Sequence, residues 1–203
     1  MSDPSQADPE SAHKPPVDNS RRRLLTAATS GVGLVGTAAM LVPFAGSMAP
    51  SEKAKAAGAP VEVDISEIAP GRQITVEWRG KPVWIIGRSQ QDLDFLGSLA
   101  DTLADPDSDA AQQPKYARNP YRSIKREVLV LVGICTHLGC SPKFRPELTA
   151  DADGAFLCAC HGSRFDLAGR VYRNVPAPTN LVVPPHRYLS DHVILIGEDE
   201  DTA

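Results

Sequence analysis

All four cysteines of this 203-residue chain, and two of its five histidines, fall in two short words, Cys135-Thr136-His137-Leu138-Gly139-Cys140 and Cys158-Ala159-Cys160-His161-Gly162-Ser163. A C-x-H pair followed by a C-x-x-H pair offers two thiolates and two imidazoles. The spacing inside each word is short and the words are well separated, so each pair must sit on its own tight loop. Gly139 and Gly162 follow close behind, and glycine tolerates the backbone angles of a loop wrapped around a bound group. Gly133 ahead of the first word and Gly169 behind the second are read as turns into flanking strands.

Three chemistries use such residues. Two cysteines on one iron and two histidines on the other make a mixed-ligand [2Fe–2S] centre. Cys2His2 is also a zinc set, but zinc sites usually follow C-x2–4-C with H-x3–5-H, and zinc leaves Cys140 and Cys160 without a role. A pure disulfide scaffold bonds all four cysteines and leaves His137 and His161 idle. The iron–sulfur reading accounts for most, and metal content separates the three. His13 lies in a polar tail, while His186 and His192 lie in a C-terminal strand region and are read as surface or packing residues.

With Val175-Pro176-Ala177-Pro178 behind them, the two words resemble the Rieske iron–sulfur subunit of the respiratory cytochrome bc complex. The resemblance covers most of the chain. It implies a [2Fe–2S] cluster with Cys135 and Cys158 on the inner iron and His137 and His161 on the outer one. Imidazole donates less negative charge than thiolate, which places such centres at roughly −150 to +300 mV, against about −400 mV for all-cysteine plant-type clusters. It also implies a Cys140–Cys160 disulfide tying the loops together, which calls for an oxidising compartment. Ser163 matches the family serine that donates to a bridging sulfide. Phe165 stands where many members carry a tyrosine that donates to a ligand sulfur, so a lower potential than in those relatives is expected. Leu138, Pro176 and Pro178 match the apolar tip that docks on cytochrome b. The proline segment departs from the family in beginning with Asn174-Val175 rather than glycine.

The N-terminal third carries an address. Leu24 to Phe44 has no charge, and at about 1.5 Å per residue a helix of this length spans about 30 Å, the depth of a bilayer core. Its many small residues, Gly31, Gly33 and Gly36 among them, favour close approach of a partner helix. Ser20-Arg21-Arg22-Arg23-Leu24-Leu25 ahead of it looks like a twin-arginine export signal, a route for folded, cofactor-loaded proteins. A cleaved signal peptide is the alternative, but no clear A-x-A site follows. With the arginines cytoplasmic, the protein is expected as a single-pass protein of a bacterial inner membrane, its head periplasmic.

The expected organisation is a disordered cytoplasmic tail over 1–19, signal and anchor over 20–44, a flexible hinge linker over 45–60, and an all-β head over 61–203. A small cluster-binding subdomain at about 133–172 is inserted in its β base. Val61–Ile65, Ile74–Trp78, Lys81–Ile86, Glu127–Val132, Ala155–Leu157, Leu181–Val183, Arg187–Leu189 and His192–Ile196 read as strands, and Gln90–Leu103 as a helix. Trp78 and Trp84 read as core residues. Lys143-Phe144-Arg145-Pro146 reads as an exposed loop without a role.

The net charge of −4, with no basic run beyond the arginine signal, gives nucleic-acid binding no support. The resemblance implies electron transfer from a quinol to a c-type cytochrome inside a proton-translocating, dimeric complex. His161 is expected to accept a hydrogen bond from the quinol hydroxyl, coupling electron and proton so that the midpoint falls as pH rises. A Rieske subunit of another periplasmic oxidoreductase, such as arsenite oxidase, is the alternative, against which the anchor and the VPAP segment argue.

Overall fold

The computed structural model describes residues 18–148 and 154–199, and the chain divides into two compact units at Ser51 and Glu52. The tail expected over 1–19 lies, up to residue 17, outside the described residues, as do residues 149–153 of the expected cluster subdomain. Among its described residues the first unit holds one helix, α1 (Asn19–Ser47), started by Asp18, whose carboxylate accepts the Ser20 and Arg21 N–H groups. It runs on to Ser47, past the expected end at Phe44. The helix is long and apolar enough to cross a membrane. Its threonines fit that setting, because Thr26, Thr29 and Thr37 donate their hydroxyls to the carbonyls of Arg22, Leu25 and Gly33. Polar groups are thereby satisfied within the segment, as a hydrocarbon environment demands.

The second unit opens with α2 (Glu52–Ala57), a single short helix inside the stretch expected as a linker. Strands β1 (Val61–Asp64), β2 (Gln73–Trp78), β3 (Lys81–Gly87), β4 (Val128–Val132), β5 (Lys143–Phe144), β6 (Phe156–Cys158), β7 (Ser163–Phe165), β8 (His186–Ser190) and β9 (Val193–Ile196) follow, with α3 (Gln90–Leu96) between β3 and β4. They make three antiparallel sheets, ordered β1-β9-β8, β2-β3-β4 and β5-β6-β7. The β2–β3 hairpin turns on Arg79-Gly80, both at positive φ (52° and 70°), as a two-residue turn that follows the strands' twist requires.

The middle sheet explains why the cluster words sit where they do. All five residues of β4 are buried, because both faces of its sheet are covered. Side chains alternate along a strand. Val83, Ile85, Val128, Val130 and Val132 therefore face one core, closed by Val63, Ile65, Ile194 and Ile196. Trp84, Ile86, Leu129 and Leu131 face a second core, closed by Leu93, Leu96, Leu99 and Leu103 and by Phe156, Phe165 and Leu167. Each such side chain contributes about 1.5–3 kcal/mol on burial. Trp84 and Trp78 are core residues, as expected. Trp84 stacks on Phe156 at 5.4 Å and 12°, so it joins the β2-β3-β4 sheet to the β5-β6-β7 sheet.

Three local expectations change. The helix expected over Gln90–Leu103 ends at Leu96 and continues as a 3-10 helix, Gly97–Thr102. Leu93, Leu96 and Leu99 are spaced by three, the period of a 3-10 helix, and stay on one face through the change. Leu181–Val183 forms no strand. Pro184 and Pro185 follow it and offer no N–H groups for a ladder, and its own groups bond singly: Leu181 N–H to Gly169, Val183 N–H to Gln112, Val182 C=O from Val132. Lys143 and Phe144, expected in a loop, pair with Leu157 and Phe156 as β5.

Candidate metal centre

The first word lies between β4 and β5, the second between β6 and β7. Both loops use one turn. In each, the glycine four residues after the first cysteine returns its N–H to that cysteine's carbonyl: Gly139 to Cys135 at 3.1 Å and Gly162 to Cys158 at 2.9 Å. Both glycines are left-handed, at φ 84° and 77°. A Cβ at either would meet nothing within 4 Å, so glycine serves the backbone angle, not the space. Gly133 differs. Its φ is not positive, but a Cβ there would fall 2.2 Å from the Trp84 ring. Gly169 is the expected turn, at φ 71°.

The donors sort by depth. Cys135 and Cys158 are buried free thiols, whereas His161 is exposed and His137 half-buried. The imidazoles meet edge to face, their centroids 4.7 Å apart and their planes at 87°. Burial pushes the Cys135 thiol up, as does the hydrogen-bonded Cys158 beside it, while the His137 N–H and the Ser163 hydroxyl oppose the rise. Cys140 and Cys160 form the disulfide that the resemblance implies, with Cα atoms 6.7 Å apart. The sulfurs of Cys140, Cys158 and Cys160 lie within 4.8 Å of one another.

The other expected residues gather around this centre. Ser163 is fully buried, and its hydroxyl oxygen accepts the Ala177 N–H at 3.0 Å. Phe165 is fully buried in the core that also holds Cys135 and Cys158. Leu138 is 72% exposed, and Pro176 and Pro178 are exposed. The Thr136 hydroxyl donates to the Thr179 carbonyl at 2.7 Å. With the Ser163–Ala177 bond, this ties the proline segment to both loops. His186 is a buried packing residue, its ring edge-on to Tyr116, and His192 is exposed; neither belongs to the centre.

A set of buried arginines, not among the expected site residues, ties the Gly169 turn behind the second loop to neighbouring segments. Arg122 donates to the Ala168, Gly169 and Leu181 carbonyls and to Gln113. Arg88 donates to the Tyr121 and Leu167 carbonyls and to Ser123. Burial lowers both guanidiniums to about 10, with Asp166 opposing. Asp166 pairs with Arg170 at 2.7 Å with both side chains buried, and Arg170 reaches the Leu96 carbonyl.

A mixed-ligand iron–sulfur cluster fits these residues. Two adjacent buried thiols gain from a cation that favours their ionised form. The Nδ1 atom of His137 is buried with no hydrogen-bond partner, a costly state for a polar atom that coordination to a metal relieves.

A β head presenting two Cys–His loops locked by a disulfide has the architecture of a Rieske-type electron carrier. The family described as Rieske [2Fe-2S] domain matches residues 111–185, and that described as Ubiquitinol-cytochrome C reductase Fe-S subunit TAT signal matches residues 11–51. The ubiquinol-cytochrome c reductase iron-sulfur subunit of Allochromatium vinosum is 59% identical over 192 residues, covering 92% of this chain and 93% of that protein. Its counterpart from Bradyrhizobium diazoefficiens is 44% identical over 178 residues, 87% of this chain and 94% of that one. A solved chain titled "Hyperthermophilic respiratory Complex III" is 27% identical over 83% of this chain and 98% of that one, at a TM-score of 0.47. This chain belongs to the family of ubiquinol–cytochrome c reductase iron–sulfur subunits, and its cofactor is a Rieske-type [2Fe–2S] cluster.

Proposed function

We propose that the chain takes an electron from a membrane quinol and passes it to a c-type cytochrome, as the mobile carrier of a dimeric quinol–cytochrome c reductase. The observation that carries this reading is the union of two buried thiols with a right-angled pair of imidazoles, one exposed and one half-buried, on two disulfide-joined loops. Cys135 and Cys158 hold one iron of the cluster, His137 and His161 the other. The cluster supplies a one-electron couple at a potential raised by its two imidazole ligands.

The chain's own residues do the rest. His161, exposed, accepts a hydrogen bond from the quinol O–H at its outward ring nitrogen and takes the proton as the electron leaves. Leu138, Pro176 and Pro178 form an apolar rim beside it that seats on cytochrome b, held by the Thr136–Thr179 and Ala177–Ser163 bonds. The Ser163 hydroxyl stabilises the reduced centre, and Phe165 withholds the second donor that a tyrosine would add. The stretch 45–60 is the hinge on which the head swings to the cytochrome. Helix α1 holds the chain in the inner membrane with its arginines cytoplasmic and the head periplasmic, so the quinol's protons leave on the outer side and the complex translocates protons.

Redox titration of the purified chain, followed by low-temperature EPR at two pH values, tests this reading. A Rieske-type signal whose high midpoint falls as pH rises is expected. A low, pH-independent midpoint would instead make the chain a ferredoxin-like carrier, and absence of iron would remove the cluster altogether.

A further inference from the structure

We propose that Cys158 is a guarded nucleophile: when no iron holds it, its thiol exchanges with the Cys140–Cys160 disulfide. The inference rests on the assignment of Cys158 as a cluster ligand. Its basis is the placement of three sulfurs. Those of Cys140, Cys158 and Cys160 lie within 4.8 Å of one another, and only Cys140 and Cys160 are bonded. A thiol beside a disulfide is the reactant pair of thiol–disulfide exchange, which proceeds by attack of the thiolate on a disulfide sulfur. Cys135, the other free thiol, hydrogen-bonds to Cys158 but stands outside this three-sulfur group among the described residues.

The step balances without an oxidant. Cys158 gives up its proton and attacks Cys140. The Cys140–Cys158 bond forms, the Cys140–Cys160 bond breaks, and Cys160 leaves as a thiolate and takes up a proton. One disulfide and two thiols are present before and after. Attack at Cys140 is preferred, because a Cys158–Cys160 bond would close over one intervening residue, where relaxed disulfide geometry is hard to reach. Cys160 is exposed, so the released thiol meets water. The product has spent a cluster ligand on a covalent bond and can be reloaded only after the reverse exchange, by the Cys160 thiol, frees Cys158. Ligation to iron keeps Cys158 out of the exchange, so the loaded chain holds the Cys140–Cys160 bond in place and loss of the cluster opens the competing pairing.

The test compares the loaded full-length chain in detergent with the same chain stripped by an iron chelator without oxygen. Free thiols are alkylated, and disulfides and alkylated cysteines are mapped by mass spectrometry without reduction. The stripped chain should show Cys140–Cys158 and about tenfold more alkylation of Cys160 than the loaded chain, equally at two protein concentrations. Cys135→Ser should still exchange, whereas Cys158→Ser should keep Cys140–Cys160. A stripped wild-type chain that retains only Cys140–Cys160, or exchanges only at high concentration, overturns the proposal without touching the ligand assignment. Exchange in the loaded chain as well overturns the guard, and with it the assignment of Cys158 to iron.

Discussion

Phe165 offers the simplest handle on the redox chemistry. It is fully buried on β7, opposite Phe156, in the core that holds Cys135 and Cys158. Phe165→Tyr adds a donor that favours the more negative, reduced centre. A hydrogen bond to a charged group contributes about 1.5 kcal/mol, so the midpoint should rise by roughly 60 mV for one electron; a titration showing no change or a fall would refute this. His186 reports on the base. Burial pushes its imidazole below the ordinary 6.5, against the opposing pull of the Pro184 carbonyl and Asp199. The unfolded chain therefore binds the proton more readily than the folded one, and stability, full above about pH 6.5, is lost as pH falls through the folded value. Urea unfolding should show a lower midpoint at about pH 5.5 than at about pH 7.5, and His186→Asn should shrink that difference. The candidate ligands stood out in the sequence because their residue types are the chemistry. Arg122 did not, because within Tyr121-Arg122-Ser123-Ile124-Lys125 it reads as one more surface charge. Only packing brings it to carbonyls from two separate segments.

Elements follow the same division. The β2–β3 hairpin and β4 were legible from alternation, a turn dipeptide and an unbroken apolar run. Leu181–Val183 misleads because Leu181 and Val183 are buried with Val182 exposed between them, as in a strand, while the prolines behind deny a ladder. The second core depends on Gly133, where a methyl group would enter the Trp84 ring and displace it from Phe156. Gly133→Ala should cost about 1–3 kcal/mol or more, seen as a lower unfolding temperature with altered near-ultraviolet dichroism. Arg122→Met leaves the carbonyls of Ala168, Gly169 and Leu181 to find other partners. Losing charged hydrogen bonds of this kind should cost about 3 kcal/mol or more, measurable by denaturant unfolding of the loaded chain.

For the whole molecule, export is the process to perturb. The twin-arginine match over residues 11–51 includes Arg21 and Arg22. Replacing both by lysine should leave the cluster's EPR signal in place while the head loses accessibility to protease added to spheroplasts; unchanged accessibility would disconnect the arginines from export. The disulfide has a topological consequence as well. Cys140 and Cys160 bracket the chain between the loops, and a cut between residues 141 and 157 yields two fragments, one bearing Cys135 and His137, the other Cys158 and His161. The bond still joins them, and β1 of the upstream fragment remains paired with β9 of the downstream one. A nicked head therefore keeps both halves of its ligand set in one covalent molecule, and the break becomes visible on a gel only after reduction.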